Sequence, residues 1–369
     1  MEKPVSLYVH VPFCAEKCDY CAFFSVEGAP GEDVARYFRG MRKDIEKAAA
    51  VTGPLKTVFV GGGNPFSLSA EALDELLALI TSGCKILPEC EFTIEGNPET
   101  VDADKIAALS RHRVTRVSLG VQSFRERQRA YIGRKGSLLG IEEKIKAVFK
   151  AGIRDVNLDL IYGIPGQTIE EWRKDLGSAV SLGITHLSAY GLSVEPGSPL
   201  GARARPEEID NGLAAEMWHL TGEFLSEEAG IKRYEISNYA KPGHECLHNL
   251  SFWRGMDYIG CGPAAVSSEG LARRTNAADI RKWSEGAGWS VERVTAEERA
   301  REILMLDLRT VEGITFEEFK AVTGFDALRL AGESLGRLEK AGLIKMNARA
   351  LFPTEKGMLF ADSVAVELI

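Results

Sequence analysis

Three cysteines crowd into eight positions of this 369-residue chain, Cys14-Ala-Glu-Lys-Cys18-Asp-Tyr-Cys21. Thiolates are soft ligands that suit zinc or an iron–sulfur cluster. Structural zinc usually takes four ligands from paired C-x2-C knuckles. Here the spacing is the asymmetric C-x3-C-x2-C, with no second knuckle. The residue two beyond the last cysteine is Phe23, and Cys84, Cys90, Cys246 and Cys261 are each far along the chain. A cubane cluster takes four protein thiolates, so three would leave one iron open to a ligand the chain does not supply. Zinc with a distant fourth ligand is the competing reading. His10 precedes the cysteines on a strand-like run, where a histidine more often serves core or rim than metal.

The cysteines follow the first of six β-branched runs: Leu7–Val11, Thr57–Val60, Glu91–Glu95, Arg116–Gly120, Val156–Ile161 and His186–Gly191. Helix-like stretches separate them near Gly31–Ala50, Ala70–Thr81, Asp102–Arg111, Ile141–Ala151 and Ile169–Leu182. In the second stretch Leu73, Leu76, Leu77 and Ile80 make one apolar stripe, with Ser69 placed to cap it. Alternating strands and helices predict an α/β fold with a parallel sheet, flat or curled into a barrel. Several strands run into loops rich in glycine, proline or amides, such as Gly61-Gly62-Gly63-Asn64-Pro65 and Gly96-Asn97-Pro98-Glu99. Ligands of parallel α/β folds bind at that edge. Glycines there would let a ligand approach the backbone amides. A nucleotide P-loop is excluded because no Gly-Lys-Ser/Thr follows Gly63.

The composition, 45% apolar and 27% charged, is that of a globular protein, and its length fits two domains. A net charge of −8 argues against a general nucleic-acid binder. No apolar run reaches the roughly 18 residues that span a bilayer, no leader-like segment is read at the start, and the cysteine usage suits a reducing cytoplasm. After Gly286-Ala287-Gly288 the pattern changes to helices near Ala296–Leu308, Thr315–Thr323 and Leu328–Ala341. A hairpin through Ile344–Pro353 and a short helix after Thr354 follow, the outline of a winged-helix-like module. From Thr295 onward there are 10 Lys or Arg and 13 Asp or Glu, so packing or docking suits it better than DNA.

The C-x3-C-x-aromatic-C string, with Tyr20 as the aromatic, resembles the signature of radical S-adenosylmethionine (SAM) proteins. Tyr8-Val-His-Val-Pro-Phe-Cys14, Ile94-Glu-Gly-Asn-Pro-Glu99, Ser118-Leu-Gly-Val-Gln-Ser-Phe124, Asp159-Leu-Ile-Tyr-Gly-Ile-Pro-Gly166 and His248-Asn-Leu-Ser-Phe-Trp253 narrow this. They are similar to the coproporphyrinogen dehydrogenase-like branch and, within it, the HemW-type heme chaperones. The resemblance implies an incomplete (β/α)6 TIM-like barrel over residues 1–285 and a winged-helix-like domain over 289–369. It implies a [4Fe-4S] cluster on Cys14, Cys18 and Cys21, and SAM contacts at Tyr8, Tyr20, Gly62, Gly63, Asn64, Glu95, Gln122, Arg134 and Asp159. Asn64 stands where the family usually has threonine.

Oxygen-independent coproporphyrinogen III dehydrogenase is the alternative within this branch, acting through a 5′-deoxyadenosyl radical. Its members carry a longer N-terminal segment and a cysteine where this chain has Phe23. The His248 string instead resembles the H-N-x-x-Y-W of the heme chaperones, with Phe252 for tyrosine, although Val266 replaces a family histidine. If extended, His244, Cys246 and His248 would share one face, and imidazole and thiolate both ligate heme iron. His248 is the candidate heme contact, with Trp253 as a stacking partner. The implied partners are heme or porphyrin, an apo-hemoprotein acceptor and, transiently, a membrane surface, with no nucleic acid.

Overall fold

The computed structural model describes residues 3–28 and 30–369. After β1 (Ser6–Val11), the short strands β2 (Phe13–Cys14) and β3 (Val26–Glu27) pair with each other. Then come β4 (Leu55–Gly62), β5 (Ile86–Gly96), β6 (Arg116–Gln122), β7 (Asp155–Tyr162) and β8 (His186–Gly191). Strands β1, β4, β5, β6, β7 and β8 lie side by side in that order, all parallel. The helices between them are α1 (Gly31–Val51), α2 (Ala70–Gly83), α3 (Ala103–Arg111), α4 (Glu126–Tyr131), α5 (Ile141–Lys150) and α6 (Ile169–Ser181).

Past β8 run α7 (Pro199–Arg203), α8 (Asn211–Ala229), β9 (Lys232–Arg233), β10 (Asn238–Ala240), α9 (Leu247–Trp253) and β11 (Ile259–Cys261). Strand β11 joins in parallel beside β1, while β10 and then β9 add antiparallel beside β8. The outermost strands β11 and β9 do not pair with each other, so the barrel is the incomplete one expected from the resemblance.

Sequence alternation builds both faces of the sheet. Phe92 and Ile94, Val117 and Leu119, Val156 and Leu158, Leu187 and Ala189 are buried in the apolar core. The residues between them are polar: Glu91, Thr93 and Glu95; Arg116 and Ser118; Asp155, Asn157 and Asp159; His186 and Ser188. Side chains two apart share a face, and these polar groups bond one another across the strands. Asn157 donates to Ser118 at 2.8 Å, its carbonyl lies 2.7 Å from His186 Nδ1, and Ser118 donates to Asp159 at 3.2 Å. The barrel therefore has a polar lumen and an apolar jacket. The jacket follows the sequence: Ser69 accepts from the Ala72 amide, and Leu73, Leu76, Leu77 and Ile80 are buried. Strand β5 begins five residues before the expected Glu91. Exposed Pro88 and Glu89 mask its start, and a register shift between Leu55 and Thr57 accommodates it.

Strands β12 (Val266–Glu269), β13 (Ala272–Thr275) and, after α10 (Ile280–Ser284), β14 (Ser290–Arg293) form a small antiparallel sheet. The turn at Gly286-Ala287-Gly288 thus leads back to β13 before a second core begins. That core runs through α11 (Ala296–Asp307), β15 (Ile314–Thr315), α12 (Phe316–Thr323), α13 (Ala327–Lys340), β16 (Ile344–Met346) and β17 (Ala350–Pro353), the winged-helix order. The last helix breaks at Phe360 into α14 (Glu355–Leu359) and α15 (Ala361–Leu368). Leu304, Phe319, Leu335 and Leu351 fill the centre.

This module grips the end of α9. The Arg254 guanidinium bonds Asp307 at 2.8 Å and the Gly313 carbonyl at 2.6 Å, Arg299 donates to the Gly255 carbonyl, and Arg309 lies over the Trp253 ring at 4.4 Å. Leu119→Ala, which empties a fully buried site in the jacket, should cost about 2–5 kcal/mol, read as a fall in thermal midpoint. Val366→Ala, at a side chain 82% exposed, should leave the midpoint unchanged.

Candidate cofactor site

Beyond Val11 the chain leaves the sheet at the C-terminal strand edge and loops out through the cysteines. The β2–β3 pairing closes the loop, and a turn from the Cys21 amide to the Cys18 carbonyl at 3.2 Å tightens it. His10 braces the loop: its Nε2 is 2.8 Å from the Phe24 carbonyl, and its Nδ1 is 3.0 Å from the Tyr8 hydroxyl. It serves the rim. Cys14 is buried, while Cys18 and Cys21 are half-buried. Burial pushes the Cys14 thiol up to about 11, and the charges of Cys21 and Cys18 add to the rise. Burial also raises Cys18, where Arg134 opposes it. The three thiols are thus electrostatic neighbours. Yet among the described residues no three His, Cys, Asp or Glu groups gather to hold a single ion.

The glycine string beside the loop has a different logic from the one its sequence suggests. Gly62 sits at φ +108°, and a Cβ there would lie 2.5 Å from the His10 ring. A Cβ on Gly63 would lie 2.8 Å from the Phe13 carbonyl oxygen. Two of the amides are spent too: Gly63 donates to the Val11 carbonyl and Asn64 to the Phe13 carbonyl. These glycines therefore let the cysteine-bearing segment cross β4 at close contact. The expected open cradle of amides is not what their conformation provides. Asn64 is fully buried, its side chain tied to the Asn97 amide and the Thr100 hydroxyl, so it joins two rim loops.

Arg134 is likewise committed. It is 5% exposed and donates to both oxygens of Glu99 at 3.1 and 3.2 Å and to the Gly120 carbonyl at 2.8 Å. Its influence on Cys18 makes it a neighbour of the cysteine loop, paired with protein rather than open to an external anion. Gln122, at φ +70°, occupies a bulge between β6 and β7. Tyr20 packs against Ile132, Ile161 and Ile164 and stays within electrostatic reach of Cys18, Cys21 and Asp159.

Glu95 and Asp159 have no cation paired with them, although Asp159 accepts from Ser118 and Asn157. Both are half-buried on the lumen side of the rim. Burial, and then the charge of Asp159, push the Glu95 carboxyl up to about 8, and burial raises Asp159 also. The groups that oppose these shifts are an amide, hydroxyls and the Asn157 side chain, with no cation among them. Tyr8, half-buried beside Glu95, and Tyr190, 40% exposed, complete the lining. Two uncompensated carboxylates between aromatic rings suit a small cation with hydroxyl groups.

The far mouth of the barrel holds the histidine segment. Residues 244–248 are not extended: the chain turns at Cys246 into α9, and the three side chains diverge. His244 Nδ1 hydrogen-bonds Asp155. Cys246 is buried with its sulfur 3.4 Å from Glu91, and burial holds the thiol protonated. His248 is 2% exposed and stacked on Phe59, its Nδ1 is 2.8 Å from the Thr57 hydroxyl, and its Nε2 is buried without a partner. Burial lowers its pKa to about 3, so the ring is neutral. The unpartnered Nε2 of a neutral imidazole can hold the lone pair an iron ligand needs, which a protonated thiol lacks, and both side chains are equally buried. Trp253 packs under Arg309.

Glu91, Arg116, Asp155 and Thr57, which line this mouth, escape a reading by motif. Their signal is the polar residue at every second strand position.

The Radical SAM superfamily pattern matches residues 8–179, and that of the HemN C-terminal domain matches 294–360. The chain is 35% identical to the heme chaperone HemW of Escherichia coli (strain K12), over 98% of this chain and 97% of that one. It is 32% identical to the heme chaperone HemW of Bacillus subtilis (strain 168), over 97% of each. The solved structure of coproporphyrinogen III oxidase (HemN) from Escherichia coli shares its fold, with a TM-score of 0.86 at 21% identity over 100% of this chain and 90% of that one.

Cys18→Ala should lose iron and sulfide after anaerobic reconstitution with an unchanged circular-dichroism spectrum, whereas Cys84→Ala and Cys90→Ala should retain both. Glu95 gives a pH test. Its folded pKa of about 8 lies above an unfolded value of about 4.3, so between them the native state binds more protons and stability falls as pH rises. Urea midpoints of the apo-protein should drop from pH 5 to pH 9, and Glu95→Gln should flatten that slope.

Proposed function

The chain belongs to the heme chaperone HemW family of radical SAM proteins, and we propose that it binds a [4Fe-4S] cluster, SAM and heme and hands heme to apo-hemoproteins in the cytoplasm. Relatedness over almost the whole length carries this reading. The three-thiol loop beside two uncompensated carboxylates supports its cofactor half, and the free Nε2 of His248 its heme half.

Cys14, Cys18 and Cys21 would hold the cluster and leave one iron for SAM, a pairing that supplies one-electron chemistry at a sulfonium when bound. The chain's own part is to bind and orient. Glu95 and Asp159 accept hydrogen bonds from the ligand's ammonium or ribose hydroxyls. Tyr8 and Tyr20 flank it, and the Gly62–Gly63 backbone and Gln122 bound the same space. Asn64 and Arg134 act at one remove, by fixing the loops around it. Among the described residues no helix is long and apolar enough to cross a membrane. Acceptors there would be met by transient association.

Titrating the reconstituted protein with heme should give a saturable Soret shift, and mixing with an apo-hemoprotein should move that absorbance to the acceptor. No saturable shift would end the proposal. Protoporphyrinogen formed from coproporphyrinogen III under strict anaerobiosis would replace it with the dehydrogenase reading.

A further inference from the structure

Residues 244–248 are held by groups that none of the cofactor contacts uses. Glu91, 7% exposed on the lumen face of β5, accepts from the amides of Leu247 and His248, both at 2.9 Å. Arg116, 3% exposed on β6, donates to Glu91 at 3.3 Å and to the carbonyls of His244 and Glu245 at 3.0 and 3.1 Å. Asp155, on β7, lies 3.8 Å from Arg116 and bonds His244. Three adjacent strands thus fix the backbone that carries His248.

The ring is fixed separately. Phe59 stacks on it with centroids 5.0 Å apart, Phe252 meets it edge-on at 4.9 Å, and the Thr57 hydroxyl lies 2.8 Å from Nδ1. A hydroxyl oxygen can accept from an Nδ1–H, which leaves the lone pair of a neutral imidazole on Nε2. Outer partners of this kind set the tautomer and orientation of metal-bound histidines.

We propose that Thr57 and Glu91 are positioning residues for His248, Glu91 through its backbone and Thr57 through Nδ1, and that they present Nε2 to the heme iron. This rests on the reading that His248 is the heme contact. Thr57→Val keeps the side-chain shape and removes the hydroxyl, while Thr57→Ser restores it. Cluster-reconstituted protein is titrated with ferric heme and read by its Soret band and by the electron paramagnetic resonance of the iron spin state. Thr57→Val should bind about 10–100-fold more weakly with an altered spin-state signature, and Thr57→Ser should recover both.

His248→Ala separates the two claims. If it leaves the spectra unchanged, the heme contact is wrong and the positioning role falls with it. If it changes them while Thr57→Val matches the unaltered protein, the positioning role alone falls. The chain has six histidines, so the imidazole 15N shifts of the unaltered protein give a test that needs no variant. A protonated Nδ1 on His248 is expected, and a protonated Nε2 would overturn the proposal.

Discussion

A barrel whose inward-facing residues are polar must satisfy those groups internally or leave them for a ligand, and this constraint organises the molecule. An unpaired buried polar group costs roughly 1–3 kcal/mol. Along β5 to β8 the alternation puts a carboxylate, hydroxyl, amide, guanidinium or imidazole into the lumen at every second position. Midway down they satisfy one another, as in the Ser118, Asn157, His186 and Ser188 set. At the two ends they do not close on themselves, and there the chain brings in other elements.

The ends are solved differently. At the far mouth the charges are offset: Arg116 stands between Glu91 and Asp155, and the surplus bonding capacity holds residues 244–248. At the rim burial raises both Glu95 and Asp159, and the charge of Asp159 raises Glu95 further, with no cation beside either. Arg134, the nearest candidate by sequence, is tied to Glu99 and Gly120. The imbalance is kept at one mouth, and at the other the charges are spent on holding the histidine segment.

Much of this was legible in the residues. The six strands, their helices, the cysteine spacing and the resemblance to radical SAM proteins led to the incomplete barrel and to Cys14, Cys18 and Cys21. Glu95 and Asp159 were legible as strand-end acids. Tertiary packing was not. Nothing local says that Gly62 makes room for His10, that Asn64 joins two loops, or that Arg134 pairs with Glu99, because each partner is distant in sequence. The extended reading of 244–248 failed because the N-terminal amides of α9 find Glu91, a partner more than 150 residues away. Between His186–Gly191 and residue 285 the long helix α8 (Asn211–Ala229) carries only a weak apolar stripe and the other elements are short, so the His248 string was legible there and the elements were not.

The same strands carry both mouths. Glu91 and Glu95 are four residues apart on β5, as are Asp155 and Asp159 on β7. At about 3.3 Å per residue, four steps span roughly 13 Å of stiff backbone. Each strand is therefore a ruler that sets how far the histidine end stands from the cysteine end. Adding or removing one residue between the paired acids would change the length by only one step, yet it would turn one acid of each pair outward into the apolar jacket. Evolution can lengthen loops at either end of such a barrel freely, but it can alter the distance between the ends only in steps of two.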